Sequence, residues 1–556
     1  MKNMKLKYLL FGLLMFSLAG CDFLNCDESS DYEKEDIFQS YNRTKQMVTH
    51  VYSYLPNGFC NISGAMHEAG TDDAVHVYGT SAIQRFVDGT WSANHTVDDV
   101  WSNYYAGIRA ANLYLKEAEG LTFEDWKFND NYEAWMKNFD YFQYEVRFLR
   151  AFYYFELIKR YQNVPLITEV LTPEEANRVK PSTFEEIANF IMAECEILKN
   201  ALPVNFKDGF MDKESGRITK GAVLALRSRL TLYLASPLYS ADDKNKWKRA
   251  AAAAYDIIGQ ISELGYGLGK YANLFGANNN LEKENILVRP IGESGEFEKA
   301  NFPMGVQGGK TSTCPTENLV SAYEMTDGTS FDWNNEKMRK SPYVDRDPRL
   351  AMTIAYNGMI WPKKKLEIYE GGANGLPLNN ATVTGYYLKK FVNSDINFES
   401  GSTVIKKHHN WILFRYGEVL LNYAEAMVNA FGSPTYSDSD YPMSAWAAVS
   451  MLRGREDVHM PLYPEDLSPE EFMKRLKNER RVELAFEGHR FWDVRRWKDL
   501  EETAEIYKVE VKKVNGKLEY NKNLYDTHIV ADRMYFYPIS ASEMFKNDNL
   551  VQNPNW

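Results

Sequence analysis

The sequence predicts a mainly α-helical protein: a tetratricopeptide-like scaffold of helical repeats with a loop-rich segment that carries a few short strands. Three observations lead there. Long stretches place apolar residues at helical spacing, and these stretches follow one another in pairs joined by short turns. Between residues 265 and 401 the pattern gives way to glycines, asparagines and short apolar runs.

The first long helix is expected over 97–119, where Val97, Val100, Trp101, Tyr104, Tyr105, Ile108 and Leu115 share one face. A second, over 141–161, is ended by Val164-Pro165, because the residue before a proline avoids the helical region. Ser182 or Thr183 then caps a third helix, each with a glutamate three residues on. Residues 217–234 form a helix stopped by Ser236-Pro237, and 244–264 form its partner. Ala225, Ala235, Ala250 and Ala254 let the two approach closely. The pair 411–430 and 441–453 follows, then 468–486, which opens with Ser468-Pro469-Glu470-Glu471, a cap with proline in the first turn. No clean 34-residue period can be counted, so the repeat is degenerate. In the loop-rich part, Ile286-Leu287-Val288 and Tyr386-Tyr387-Leu388 suggest small strands. Without a linker-like stretch, residues 37–556 read as one body, with helical repeats at roughly 97–264 and 409–487 and the loop-rich insertion at roughly 265–408.

The N-terminus reads as an address. Lys2, Lys5 and Lys7 precede an apolar run at 8–18 that is too short for a stable membrane span. It ends in Leu18-Ala19-Gly20-Cys21, which resembles the lipobox of bacterial lipoproteins. The expectation is a signal peptide at 1–20 and a lipid on Cys21. Asp22, Asp27, Glu28, Asp31, Glu33, Glu35 and Asp36 then stand against one lysine, an acidic tether over 21–36 that resembles surface-export signals of Bacteroidetes lipoproteins.

Charge and composition exclude several classes. With 64 basic against 76 acidic residues the net charge is −12, so nothing here neutralises a nucleic-acid backbone. No His-Glu-x-x-His, Walker A loop or Gly-x-Ser-x-Gly elbow is present. Gly265, Gly267 and Gly269 follow a helix rather than a strand and read as a turn. His408-His409 lacks a spaced third ligand and reads as a polar turn. Cys26, Cys60, Cys195 and Cys314 match no zinc spacing, and Cys195 falls on the apolar stripe of its helix as a small core residue. Neither cofactor nor metal is expected. Glu479, Glu483 and Glu487 share a helical face and are accompanied by Arg480, Arg481, Arg490, Arg495 and Arg496, which reads as a structural ion-pair network. The aromatic content is high, 14%; a core absorbs many aromatics, but a surplus also suits a surface that stacks on flat ligands.

Several segments resemble the SusD/RagB family. They are the run 480–497 (RRVELAFEGHRFWDVRRW), 411–427 (WILFRYGEVLLNYAEAM), 145–165 (EVRFLRAFYYFELIKRYQNVP), 315–328 (PTENLVSAYEMTDG), 345–350 (DRDPRL), Tyr537-Pro538-Ile539 and the terminal Asn553-Pro554-Asn555-Trp556. They come in family order, so the resemblance covers the mature chain. It implies an outer-membrane surface lipoprotein on tetratricopeptide-like helix pairs that binds glycans, or in some branches peptides. It also implies a SusC-like TonB-dependent transporter as partner, on which the protein sits as a lid, and no catalytic activity. A glycoside hydrolase is the distant alternative, and a scaffold that binds only protein another.

A sugar receptor needs accessible aromatics flanked by planar polar groups. The helical aromatics Trp101, Tyr104, Tyr105, Phe152, Tyr153 and Trp446 recur at core spacing and read as packing, so loop residues are the better candidates. In the polar loop 71–94, Trp91 places an indole near the amide of Asn94, Asp73 and Arg85 offer charged hydrogen bonds, and Tyr78 precedes a glycine. The resemblance implies a site shared between this region and the later loop-rich segment, where Phe297 and Phe302 are the nearest match.

Overall fold

The computed structural model describes residues 34–206, 216–398 and 405–556. The expected signal peptide, Cys21, Cys26 and most of the acidic tether lie outside them. The chain is mainly helical, 44% helix against 12% strand.

Six helices follow in order: α1 (Tyr41–Tyr52), α2 (Trp101–Glu117), α3 (Tyr132–Tyr161), α4 (Phe184–Ala201), α5 (Lys220–Ala235) and α6 (Lys244–Ile258). Each packs on the next. The second half of α3 is buried all round, as befits a helix enclosed by neighbours. Its charged residues are paired there: Glu156 accepts from Lys159 (2.6 Å) and Arg160 (2.7 Å). Of the two expected caps of α4, Thr183 is the one used. Its hydroxyl accepts from the Glu186 amide (3.2 Å) while the Glu186 carboxylate accepts from the Thr183 amide (2.8 Å). Cys195 is fully buried on this helix.

Three further helices, α7 (Tyr416–Phe431), α8 (Ala445–Arg453) and α9 (Pro469–Glu483), close the scaffold. α7 packs on α6, α5, α8 and α9. Ser468 caps α9 as expected, accepting from the Glu471 amide at 3.2 Å.

Four strands tie the loop-rich segment to the rest. β1 (Ala74–His76) and β2 (Asn285–Ser294) pair antiparallel with β3 (Thr313–Pro315) and β4 (Lys407–Arg415) respectively. β4 corrects two expectations. Residues 411–415 are strand, not helix: Trp411 faces Arg289 and Ile412 faces Val288 in the ladder, and the helix starts only at Tyr416. An apolar run of this length satisfies either period. Here the matching run 286–288 supplies the backbone partners that make it a strand. His408 and His409 are in the same strand rather than a turn. His409 is buried with its Nε2 2.9 Å from Glu298 Oε1. The short strand expected at 386–388 is the ladder Tyr387–Leu388 with Ile354–Ala355.

A long hairpin, β5 (Glu505–Val514) with β6 (Lys517–Thr527), has no counterpart in the expected elements. Its turn is Asn515-Gly516, both at positive φ (50° and 79°), the pair that matches the twist of a two-residue hairpin.

The glutamates of α9 and the turn after it form the expected buried network, with unexpected partners. Glu479 accepts from Arg349 (2.6 Å) and Arg453 (2.8 Å); Glu483 from Arg349 (2.9 Å), Arg415 (2.8 Å) and Arg455 (2.7 Å); Glu487 from Arg415 and Lys390 (both 2.7 Å). Burial alone would raise the Glu483 carboxyl, but these three arginines hold it well below the usual carboxylate range. The flanking arginines serve elsewhere: Arg480 and Arg496 hold Asp493, while Arg481 and Arg490 hold Asp72.

Candidate ligand-binding face

The β1–β3 ladder sets Ala74 opposite Pro315 and His76 opposite Thr313, so the loop after β1 and the loop before β3 lie side by side. The junction continues past the ladder. The Val77 amide donates to the Ser312 carbonyl (2.9 Å), and the Tyr78 hydroxyl donates to the Lys310 carbonyl (2.8 Å). Ser81 donates to the Ser63 carbonyl (3.0 Å), and the Gln84 amide nitrogen to the His76 carbonyl (3.2 Å). Tyr78 is thus a half-buried ring on a braced loop, its centroid 5.4 Å from that of His76. Burial pushes its phenol above the usual tyrosine range, so it stays a neutral donor at physiological pH.

The unexpected hairpin brings a second ring. Tyr525 on β6 is half-buried, and it and Tyr78 both lie within electrostatic range of the buried Cys314, whose thiol is pushed up to about 11 by burial and so stays neutral. Lys508 sits 5.9 Å over the Tyr525 ring, and the Ile529 amide donates to the Val87 carbonyl (2.8 Å), fastening the end of the hairpin to the 82–87 turn. Beside this face opens a cleft of about 530 Å³ whose lining includes Asn57, Asn61, Ser63, Ala82, Thr96 and Asp99. Amide, hydroxyl and carboxylate groups there alternate donors with acceptors, the pattern that a hydroxyl-rich ligand requires.

The residues singled out from the sequence divide sharply. Tyr78 and Arg85 are half-buried at the surface and Asn94 is exposed; Arg85 donates to the Thr96 carbonyl (3.3 Å) at the edge of the cleft. Four others are corrected by their burial. Trp91 is 2% exposed, its ring centroid 4.8 Å from those of Phe86, Tyr537 and Trp556, so it is a core residue gathered by the C-terminus. Asp73 is fully buried and accepts from Arg481 (2.7 Å), which leaves it no reach to solvent. Phe297 packs on Phe59 (4.9 Å), and Phe302 fills a small core with Trp361 (6.0 Å) under the insertion. Loop position suggested exposure for all four, but each loop folds back on the body. Tyr525, Gln84, Asn57 and Asn61 went unread. Tyr525 had a signal, since Asn515-Gly516 between alternating runs marks a hairpin.

Among the described residues no group of three or more His, Cys, Asp or Glu is placed to hold a metal ion, and no helix is long and apolar enough to cross a membrane.

Comparison with known proteins agrees with this architecture. A family model described as "SusD family" matches residues 253–556, and one described as "Starch-binding associating with outer membrane" matches 22–232. The chain belongs to the SusD family. Among its relatives, SusD-like protein P2 of Formosa agariphila is 23% identical over 572 residues, covering 100% of this chain and 99% of the relative. A SusD-like protein of Bacteroides fragilis, known as a crystal structure, superposes with a TM-score of 0.76 at 26% identity, over 94% of this chain and 99% of that one. A laminarin-binding SusD-like protein gives a TM-score of 0.64 at 24% identity, over 93% and 99%.

Proposed function

We propose that this protein is a cell-surface glycan-binding lipoprotein. It captures oligo- or polysaccharide on the Tyr78–Tyr525 face and the adjoining cleft, and delivers it to a SusC-like TonB-dependent transporter. One observation carries the binding face: the Tyr78 hydroxyl is spent on the Lys310 carbonyl, which fixes a half-exposed ring beside a polar cleft. A pre-ordered ring offers its face to the C–H side of a sugar without an ordering cost on binding. Arg85, at the edge of the cleft, and the exposed Asn94 offer planar polar groups on the same loop. Family membership and the printed descriptions of relatives, carbohydrate-binding for one from B. fragilis and laminarin-binding for another, support the ligand class. Cys21 carries the lipid that holds the chain at the outer membrane, and the role is capture, not turnover.

Isothermal titration with maltoheptaose and laminarihexaose tests the binding face. Tyr78→Ala is expected to weaken binding about tenfold or more with thermal unfolding little changed. Unaltered affinity removes Tyr78 from the site. For the anchor, palmitate labelling is expected to vanish in Cys21→Ala, and labelling that persists contradicts the assignment. Recovery of this lipoprotein from outer membranes without any TonB-dependent transporter counts against the delivery step.

A further inference from the structure

A second and larger cavity shares no lining residue with the Tyr78 loop or its cleft. It measures about 1010 Å³, at the upper end of the roughly 300–1,000 Å³ usual for small-molecule sites. One wall is a face of α9, where Lys474, Lys477, Asn478 and Arg481 stand at i, i+3, i+4 and i+7. The facing wall is the turn 327–330 with the segment 461–464.

Two arginines at the base are held in an unusual way. Arg481 uses Nε on Asp73 (2.7 Å) and Nη2 on Asp72 (2.8 Å); Arg490 uses Nε and Nη2 on the two oxygens of Asp72 (both 3.0 Å). Arg490 is 9% exposed. Neither Nη1 has a protein partner among the described residues, and both arginines line the cavity, so the third nitrogen of each is left to face it. A donor of this kind, rigid and without a partner, costs free energy unless water or a ligand meets it. Asn478 is braced too, its amide nitrogen on the Ala322 carbonyl (2.9 Å), which leaves its oxygen as an acceptor on the same wall.

The charge of the lining decides the ligand class. Cationic and anionic side chains line the cavity in equal number, so no net field selects an ion. What the cavity offers instead is donors beside acceptors. A sugar hydroxyl uses both at once, whereas a carboxylate or sulfate meets as many repelling groups as attracting ones. We infer that this cavity is a second saccharide-binding cleft, for neutral oligosaccharides, with the Nη1 groups of Arg481 and Arg490 and the Asn478 side chain as its hydrogen-bonding base. It is separate from the Tyr78 face, and Asp73 serves it from behind as a positioning residue.

Met473 lines the cavity and provides a local reporter. The experiment is methyl NMR of the methionine-labelled full chain carrying Tyr78→Ala and Tyr525→Ala, so that failure of the first face leaves this readout intact. Met473→Leu assigns the resonance. The probes are maltoheptaose, laminarihexaose and, as the acidic control, an oligogalacturonide. The inference expects a saturable shift of the Met473 methyl with at least one neutral probe, weakened about tenfold or more by Asn478→Ala and by Ser330→Trp, which fills the mouth from an exposed position. A resonance unmoved by both neutral probes overturns it. So does a shift produced by the oligogalacturonide alone, or one that both cleft variants leave unchanged.

Discussion

The Trp91 cluster and the Tyr78 face lie on one loop and have similar composition, yet one is core and the other surface. Trp91 is enclosed by Phe86, Tyr537 and Trp556, while Tyr78 touches little besides His76 and the Lys310 carbonyl. The difference lies in who arrives from elsewhere in the chain. Rings from the last twenty or so residues cover Trp91, whereas Tyr78 meets one neighbouring imidazole and a backbone carbonyl. An aromatic residue in a loop is therefore a binding candidate only after the distant partners have been placed, because burial of its ring is decided by tertiary contacts and not by loop position.

The largest effect expected from this comparison is on stability. Trp91→Ala leaves a cavity among three rings and should cost about 3–5 kcal/mol in urea unfolding. A loss below about 1 kcal/mol would mean that Trp91 is not part of the core. Next comes Glu68, in the turn that leads toward both regions. It is 1% exposed, one oxygen accepts from the Gly488 amide (2.7 Å), and the other has no partner. Burial pushes its carboxyl up to about 7 from an ordinary 4.5. The folded state therefore favours the protonated form. Its contribution is full below the ordinary range and is lost as pH rises from 4.5 through about 7, by about 3 kcal/mol at most. Glu68→Gln should flatten that part of the stability–pH profile relative to the parent, and parallel profiles contradict the assignment. The smallest effect on stability is expected for Tyr78→Ala, less than about 1 kcal/mol by the same unfolding measurement, since a half-buried ring with one hydrogen bond is removed. A larger loss would place Tyr78 with Trp91 on the structural side.

Much of the scaffold was legible because its signals are local. Thr183 with Glu186 and Ser468 with Pro469 mark helix starts that the structure reproduces, and the small residues of 225–254 sit where α5 meets α6. The start of α7 was not legible, because Trp411 to Phe414 suits strand and helix alike until the run at 286–288 is placed beside it. The buried network was foreseen as a network, but its arginines, Arg349, Arg415, Arg453 and Arg455, all come from outside α9 and the turn after it. Of the binding candidates, Tyr78, Arg85 and Asn94 are at the surface, whereas Asp73, Trp91, Phe297 and Phe302 are not. The resemblance implied a site shared between the 71–94 loop and the insertion; β1 and β3 pair these two regions, but Phe297 and Phe302, the residues expected on the insertion side, are buried.

The central claim is that recognition resides on the Tyr78–Tyr525 face and not in the Trp91 cluster. Titration of maltoheptaose and laminarihexaose into the Ser330→Trp chain, in which the second cavity is filled, tests it most directly. Binding that is lost in the Tyr78→Ala, Tyr525→Ala double variant, with the unfolding midpoint held within a few degrees, is the result predicted. A double variant that binds as tightly as its parent would contradict the account.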